Sequence, residues 1–134
     1  MPQFATDDEI REVLDLCIEV CEDRQAQDLT VFDVRGKTTL ADYYIFCTGN
    51  SSVHLQALAA TIGRRLKERE IVPRSTEGTP ASRWILIDYN HILIHIFDSE
   101  SRSRYNVEAL LDPERRIYPP ADEAAGTDAE SAAD

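Results

Sequence analysis

Arg83-Trp84-Ile85-Leu86-Ile87-Asp88-Tyr89-Asn90-His91-Ile92-Leu93-Ile94-His95-Ile96-Phe97 is the stretch whose reading decides the fold. Two runs rich in β-branched and aromatic residues, Arg83 to Asp88 and Ile92 to Phe97, are separated only by Tyr89, Asn90 and His91. That pattern predicts a β-hairpin. After glycine, asparagine is the residue most tolerant of a left-handed turn, so Asn90 suits the tip. Along the first run Trp84, Leu86 and Asp88 take one face of the strand, and Ile85 and Ile87 take the other.

Working back towards the N-terminus, Arg74 to Ser82 is polar, contains Gly78 and Pro80, and reads as an extended loop or an edge strand. Pro73 closes a helix predicted over about Val53 to Glu70. There Leu55, Leu58, Ala59, Ile62 and Leu66 recur at helical spacing, and Ser51 or Ser52 supplies an N-cap. Tyr43 to Thr48 and Leu29 to Val34 are two further strands, dense enough to be covered on more than one face. Arg35-Gly36-Lys37 reads as a turn. Asp7 to Arg24 is a first helix, with Ile10, Val13, Leu14, Cys17 and Cys21 as its apolar stripe and three acids at its start, where the dipole favours them.

Beyond the hairpin, Asp98 to Leu111 suits a last short helix with Tyr105, Val107, Leu110 and Leu111 as apolar positions. Pro113, Pro119 and Pro120 are expected to stop regular structure. The expected fold class is therefore α/β, a mixed sheet of four or five strands flanked by helices. It forms one domain over residues 1–120, followed by an acidic tail over 121–134 that reads as disordered.

The 134 residues carry 25 acids against 14 bases, a formal net charge of −11. Five of those acids lie in the base-free segment 121–134, and the rest of the chain still carries −6. Tight sequence-independent nucleic-acid binding depends on Lys and Arg neutralising phosphates. DNA is therefore not expected as a partner, and a basic protein fits better. Met1 to Asp8 carries acids and no apolar run, unlike a secretory signal or an Arg-rich transit peptide. No stretch approaches the ~20 apolar residues of a membrane span. Three cysteines make no disulfide framework. The expectation is a cytoplasmic protein without membrane contact.

Enzyme signatures fail in turn. Thr48-Gly49-Asn50-Ser51-Ser52 is a small-residue loop before a helix, the kind of place that can hold a phosphate. No Gly-Lys-Ser/Thr follows, so it is not a P-loop. It has the look of a nucleotidyltransferase loop, but two-metal phosphoryl transfer needs several carboxylates. The nearest match, Asp88-Tyr89-Asn90, offers one. A cap and a tight turn is the simpler reading. His91 and His95 stand four apart, which on a strand is about 13 Å, too far to share an ion. His95 reads as a hydrogen-bonded, semi-buried residue, and His54 as a solvent-facing one. Cys17 and Cys21 fall on an apolar stripe, and a structural zinc would need four ligands. A Cys47/His95 nucleophile pair has no local signature behind it. Arg64, Arg65, Lys67 and Arg69 form a basic cluster at a helix end. A solvated, dipole-matched terminus is the simpler reading, and a minor contact with RNA is the alternative. Neither a cofactor nor a metal is expected.

What these readings leave over is the hairpin's polar and aromatic set. Trp84 reads equally as core and as a contact residue, since Trp, Tyr and Arg are enriched at binding hot spots.

Several motifs then coincide in order and spacing. Asp33-Val34-Arg35-Gly36-Lys37-Thr38, Leu40-Ala41-Asp42-Tyr43-Tyr44-Ile45 and Thr48-Gly49-Asn50-Ser51-Ser52 form one half. Glu77-Gly78, Trp84 to Tyr89, Ile94-His95-Ile96-Phe97, Arg102, Tyr105 and Glu108 form the other. Together they resemble the ribosomal silencing factor (Iojap-like) family over about Asp7 to Leu111. The resemblance implies a nucleotidyltransferase-like fold without the active site, and no enzymatic role. It implies a translational repressor that binds the large ribosomal subunit through its fourteenth protein. There it would sterically block the small subunit and lower translation under nutrient limitation. A homodimer off the ribosome is compatible with this. The expected contact set is Glu77, Trp84, Asp88, Tyr89, Arg102 and Tyr105. The sequence departs from the family at Asn90, where glycine is usual, and at Leu111, where an aromatic is usual. The rival classes are a generic dimeric adaptor off the ribosome and a cryptic nucleotide-binding enzyme using Asp88 and the Gly49 loop.

Overall fold

The computed structural model describes residues 6–120. The tail over 121–134 lies outside the described residues. Helix α1 (Asp7–Asp23) starts at Thr6, whose hydroxyl accepts the Glu9 N–H at 3.2 Å. It leads into strand β1 (Gln27–Asp33). Strand β2 (Tyr43–Thr48) and helix α2 (Ser52–Lys67) follow. Ser51 is the N-cap of α2, accepting the His54 N–H at 3.1 Å. The short strand β3 (Ser75–Glu77) precedes the hairpin of β4 (Trp84–Asp88) and β5 (Ile92–Phe97). Helix α3 (Ser99–Tyr105) and strand β6 (Arg116–Tyr118) are the last α-helix and the last strand among the described residues.

The sheet runs β3-β4-β5-β2-β1-β6. Only β2 and β5 are parallel, because α2 carries the chain over between them; the other neighbours are antiparallel. The expected α/β mixed sheet is present, with six strands where four or five were expected. The additional strand is β6, in a proline-bounded segment expected to be irregular. It pairs with β1 at Val31–Tyr118 and Phe32–Arg116. The polar stretch before the hairpin forms β3, the edge strand that was one of its two readings. Asn90 takes φ +75° at the hairpin tip, as its residue type allows.

Every residue of β2 is buried, since it lies between β1 and β5 with material on both faces. On one face α1 and α2 pack Ile10, Leu14, Cys17, Leu58 and Ile62 against Ile45, Cys47, Ile85, Ile94 and Ile96. On the other lies a second cluster of Phe32, Val34, Ala41, Tyr44, Phe46 and Phe97. Burying each of the Val, Leu, Ile and Phe side chains among them is worth about 1.5–3 kcal/mol.

The last helix is shorter than expected. Asp98 caps it, accepting the Ser101 N–H at 2.8 Å, but Asn106 turns left-handed at φ +45° and ends it. Val107–Leu110 continues as a 3-10 turn. Apolar spacing over 98–111 could not reveal that break. The two pieces serve different ends: Val107 and Leu111 pack on the second cluster, while Tyr105 and Leu110 stay exposed.

Candidate functional site

The second face of the sheet gathers most of the expected contact residues, and the strand register explains how. Directly opposed residues of antiparallel strands point to the same side. Glu77 opposes Leu86, Ser75 opposes Asp88, Leu86 opposes His95 and Trp84 opposes Phe97. Glu77, Trp84, Leu86 and Asp88 therefore share one face with His95 and Phe97, away from α1 and α2. Ile85 and Ile87 face the helices and are buried.

Trp84 is both core and surface. Its indole N–H donates to His95 Nδ1 at 3.3 Å, and its ring lies 4.6 Å from that of Tyr105. His95 stacks on Phe46 at 4.7 Å. It is a buried, hydrogen-bonded histidine, as its sequence context suggested. Burial pushes its pKa down to about 4, so the ring stays neutral and keeps a lone pair for Trp84. Tyr105 is half-exposed and extends the aromatic layer to the surface. Glu77, Gly78, Ser82, Trp84, Leu86 and Tyr105 line a depression of about 260 Å³.

Asp88 is tied into the scaffold. One carboxylate oxygen accepts from Arg74 at 2.7 Å, and the other accepts the Asn90 N–H at 2.7 Å. It fixes the hairpin turn and the start of β3 while remaining half-buried on the shared face. Arg102 is further inside. Its guanidinium donates to Glu108 at 2.7 Å, to the Asp28 carbonyl at 2.7 Å, and to the hydroxyls of Thr48 at 2.9 Å and Thr30 at 3.3 Å. Burial alone would raise the Glu108 pKa, but hydrogen bonds from Arg102 and Thr30 hold it below the ordinary range. This network joins α3 to β1 and β2 and reads as architecture.

Tyr89 is the clear correction among the expected contact residues. It is 0% exposed, so it cannot touch a partner in this fold. Its place directly after Asp88 suggested the surface, but alternation puts it with Ile85 and Ile87 on the helix side. Its hydroxyl has no hydrogen-bond partner among the described residues, and burial pushes its pKa up to about 12.

The other candidates resolve on geometry. Cys47 packs in the helix-side core while His95 stacks on the opposite face, so they form no nucleophile pair. Hydrogen bonding to Cys21 and burial raise the Cys47 pKa, and burial raises that of Cys17, which keeps both thiols protonated. His54 is not the solvent-facing residue its position suggested. Its Nδ1 accepts the Asn50 N–H at 2.9 Å and its Nε2 lies 2.7 Å from the Arg24 carbonyl. It ties the Gly49 loop to the end of α1, so two donors at that loop serve the fold, the other being the His54 N–H on Ser51. Among the described residues no group of three or more His, Cys, Asp or Glu is placed to hold a metal. No helix among them is long and apolar enough to cross a membrane. Arg64, Lys67 and Arg69 stay exposed at the end of α2, and Arg65 lies 3.7 Å from Glu19.

Sequence reasoning missed Gly78 and Ser82 as shapers of the site. Gly78 sits at φ +83°, and a Cβ there would lie 2.0 Å from the Trp84 carbonyl oxygen. The Glu77-Gly78 pair was the available signal, because a glycine beside an edge strand often marks close backbone approach.

Comparisons with known proteins place this geometry in context. The family model described as "Ribosomal silencing factor during starvation" matches residues 7–134. The ribosomal silencing factor RsfS of Bacillus subtilis is 34% identical over 100 residues, covering 75% of this chain and 85% of that protein. A mouse protein named "Mitochondrial assembly of ribosomal large subunit protein 1" is 27% identical over 100 residues, covering 72% of this chain and 44% of that one. A crystal structure from Chromobacterium violaceum superposes with a TM-score of 0.73 at 31% identity, covering 78% of this chain and 90% of the other. One from Bacillus halodurans gives 0.68 at 30% identity, covering 75% and 94%.

Proposed function

The chain belongs to the ribosomal silencing factor family, and on that premise we propose that it is a translational repressor acting as a steric block. It binds the large ribosomal subunit through its fourteenth protein, and its bulk keeps the small subunit from joining. Translation falls when nutrients are limited. The observation that carries this reading is the sheet face of Glu77, Trp84, Leu86 and Asp88 with Tyr105 at its margin. It is aromatic and partly open and carries the exposed Glu77 carboxylate, on a chain of net charge −11. Such a face suits a basic protein partner better than a nucleic acid. Steric exclusion needs a rigid body and no chemistry, and a six-stranded sheet supplies one.

The name of the mouse relative speaks of large-subunit assembly. The same contact, made on a maturing subunit, would hold off premature joining.

Co-sedimentation tests the binding step. The protein is mixed with purified large subunits or small subunits and spun through a sucrose gradient. Migration with large subunits only, and its loss in Tyr105→Asp, is the expected result. Tyr105 is half-exposed, so the variant is expected to stay folded, which circular dichroism checks. Failure to migrate with large subunits would leave the adaptor reading ahead.

A further inference from the structure

We infer that the depression between β3, β4 and α3 is a slot for one arginine side chain of the basic protein partner. This rests on the ribosomal reading above and specifies what the partner must present. At about 260 Å³ the slot falls just below the range of small-molecule pockets, roughly 300–1,000 Å³, and suits a single long side chain. Trp84 and Tyr105, packed on each other with ring centroids 4.6 Å apart, together make its aromatic wall, and the aliphatic Leu86 lines it beside them. Glu77 is the only charged residue among those that line it.

The charges around the slot select its occupant. Asp88, further along the same face, is neutralised by Arg74, and Arg83 lies 3.7 Å from both Asp98 and Glu100. Glu77 is exposed and makes no ion pair among the described residues. A carboxylate that lines the same depression as two aromatic rings favours a cation over a neutral or anionic group. Between the two cationic side chains, arginine matches better. Its planar guanidinium can lie against a ring while its fork of N–H donors meets the carboxylate, whereas lysine brings a strongly hydrated point charge.

The slot is built in advance. Gly78 at φ +83° lets the chain after Glu77 run against the Trp84 carbonyl, where any Cβ would collide. The Ser82 hydroxyl lies 2.7 Å from the Thr79 carbonyl and 3.0 Å from the Trp84 carbonyl, holding the two sides together. Glu77 is opposed to Leu86 by strand register. Little has to be ordered when the arginine arrives.

The test uses the full chain. Binding to purified large subunits is measured for wild type, Glu77→Gln and Glu12→Gln, an exposed acid of α1 on the opposite layer. Separately, the fluorescence of Trp84, the single tryptophan, is titrated with acetyl-arginine amide and acetyl-lysine amide at fixed ionic strength. Glu77→Gln is expected to weaken subunit binding by roughly tenfold or more, and Glu12→Gln to leave it unchanged. The arginine amide is expected to give a saturable signal that Glu77→Gln removes and the lysine amide does not reproduce. Undiminished subunit binding by Glu77→Gln, or an equal response to the lysine amide, would overturn the slot. A saturable arginine signal in a protein that ignores large subunits would support the slot and sink the ribosomal reading instead.

Discussion

Replacing Arg102 by methionine would remove four hydrogen bonds at once while keeping most of the side chain's bulk. The Glu108 carboxylate would keep only the Thr30 hydroxyl at 2.6 Å, and the Asp28 carbonyl and the Thr48 hydroxyl would each lose a donor. Breaking one partner of a buried ion pair costs about 3–5 kcal/mol, because the other charge is left uncompensated. The two side chains here are 14% and 24% exposed, so solvent screening lowers the expected loss to about 2–4 kcal/mol. For a domain of this size that is roughly 8–16 °C in Tm. Urea and thermal unfolding, followed by Trp84 fluorescence and circular dichroism, read it directly. Adding Glu108→Gln should recover part of the loss, since it removes the stranded charge, and the double-mutant cycle should show a coupling of about 1 kcal/mol or more. Held well below its Tm, Arg102→Met should bind large subunits as wild type does. A variant as stable as wild type, or one fully folded yet unable to bind, would refute the architectural role given to Arg102.

Tyr89→Phe should be neutral or stabilising by up to about 1 kcal/mol, because it removes a buried hydroxyl without a partner, and subunit binding should not change. A loss of binding on sedimentation would contradict the placement of Tyr89 in the core. Gly78→Ala should cost about 1–3 kcal/mol through backbone strain and should also weaken binding by displacing Trp84; equilibrium denaturation beside co-sedimentation separates the two effects. Acid should destabilise the fold through His95. Its native pKa of about 4 lies below the ordinary 6.5, so the unfolded chain binds more protons between those values and stability falls as pH drops through that window. The loss should approach about 3 kcal/mol by pH 4. A His95→Gln variant, which cannot titrate, should give a flatter profile in urea melts over the same range. An unchanged slope would mean that another group titrates there.

The strands and helices were legible in the sequence because each carries one clear period. Ile85 and Ile87 against Trp84, Leu86 and Asp88 gave the two faces of β4. Leu55, Leu58, Ile62 and Leu66 gave the buried side of α2, and they are all buried. What escaped lies where tertiary partners decide. The chain 98–111 has helical spacing throughout, yet Asn106 breaks it so that Tyr105 can extend the aromatic layer while Val107 and Leu111 turn inward. Strand β6 is three residues long and exists because β1 offers it an edge. The residues expected to make contact fall into one neighbourhood only in part. Glu77, Trp84 and Tyr105 meet around one depression and Asp88 lies further along the same face, but Tyr89 is core and Arg102 is a hub of the scaffold. Motif membership does not separate a residue that touches a partner from one that holds such residues in place. Burial and hydrogen-bond partners do.

Subunit joining tests the central claim most directly. Purified large subunits are incubated with the protein, mixed with small subunits and separated on a sucrose gradient. Loss of the joined peak, with the protein travelling on free large subunits, is the predicted result. A joined peak of full height with the protein bound would contradict the steric block, and one with the protein left at the top of the gradient would contradict the ribosomal contact itself.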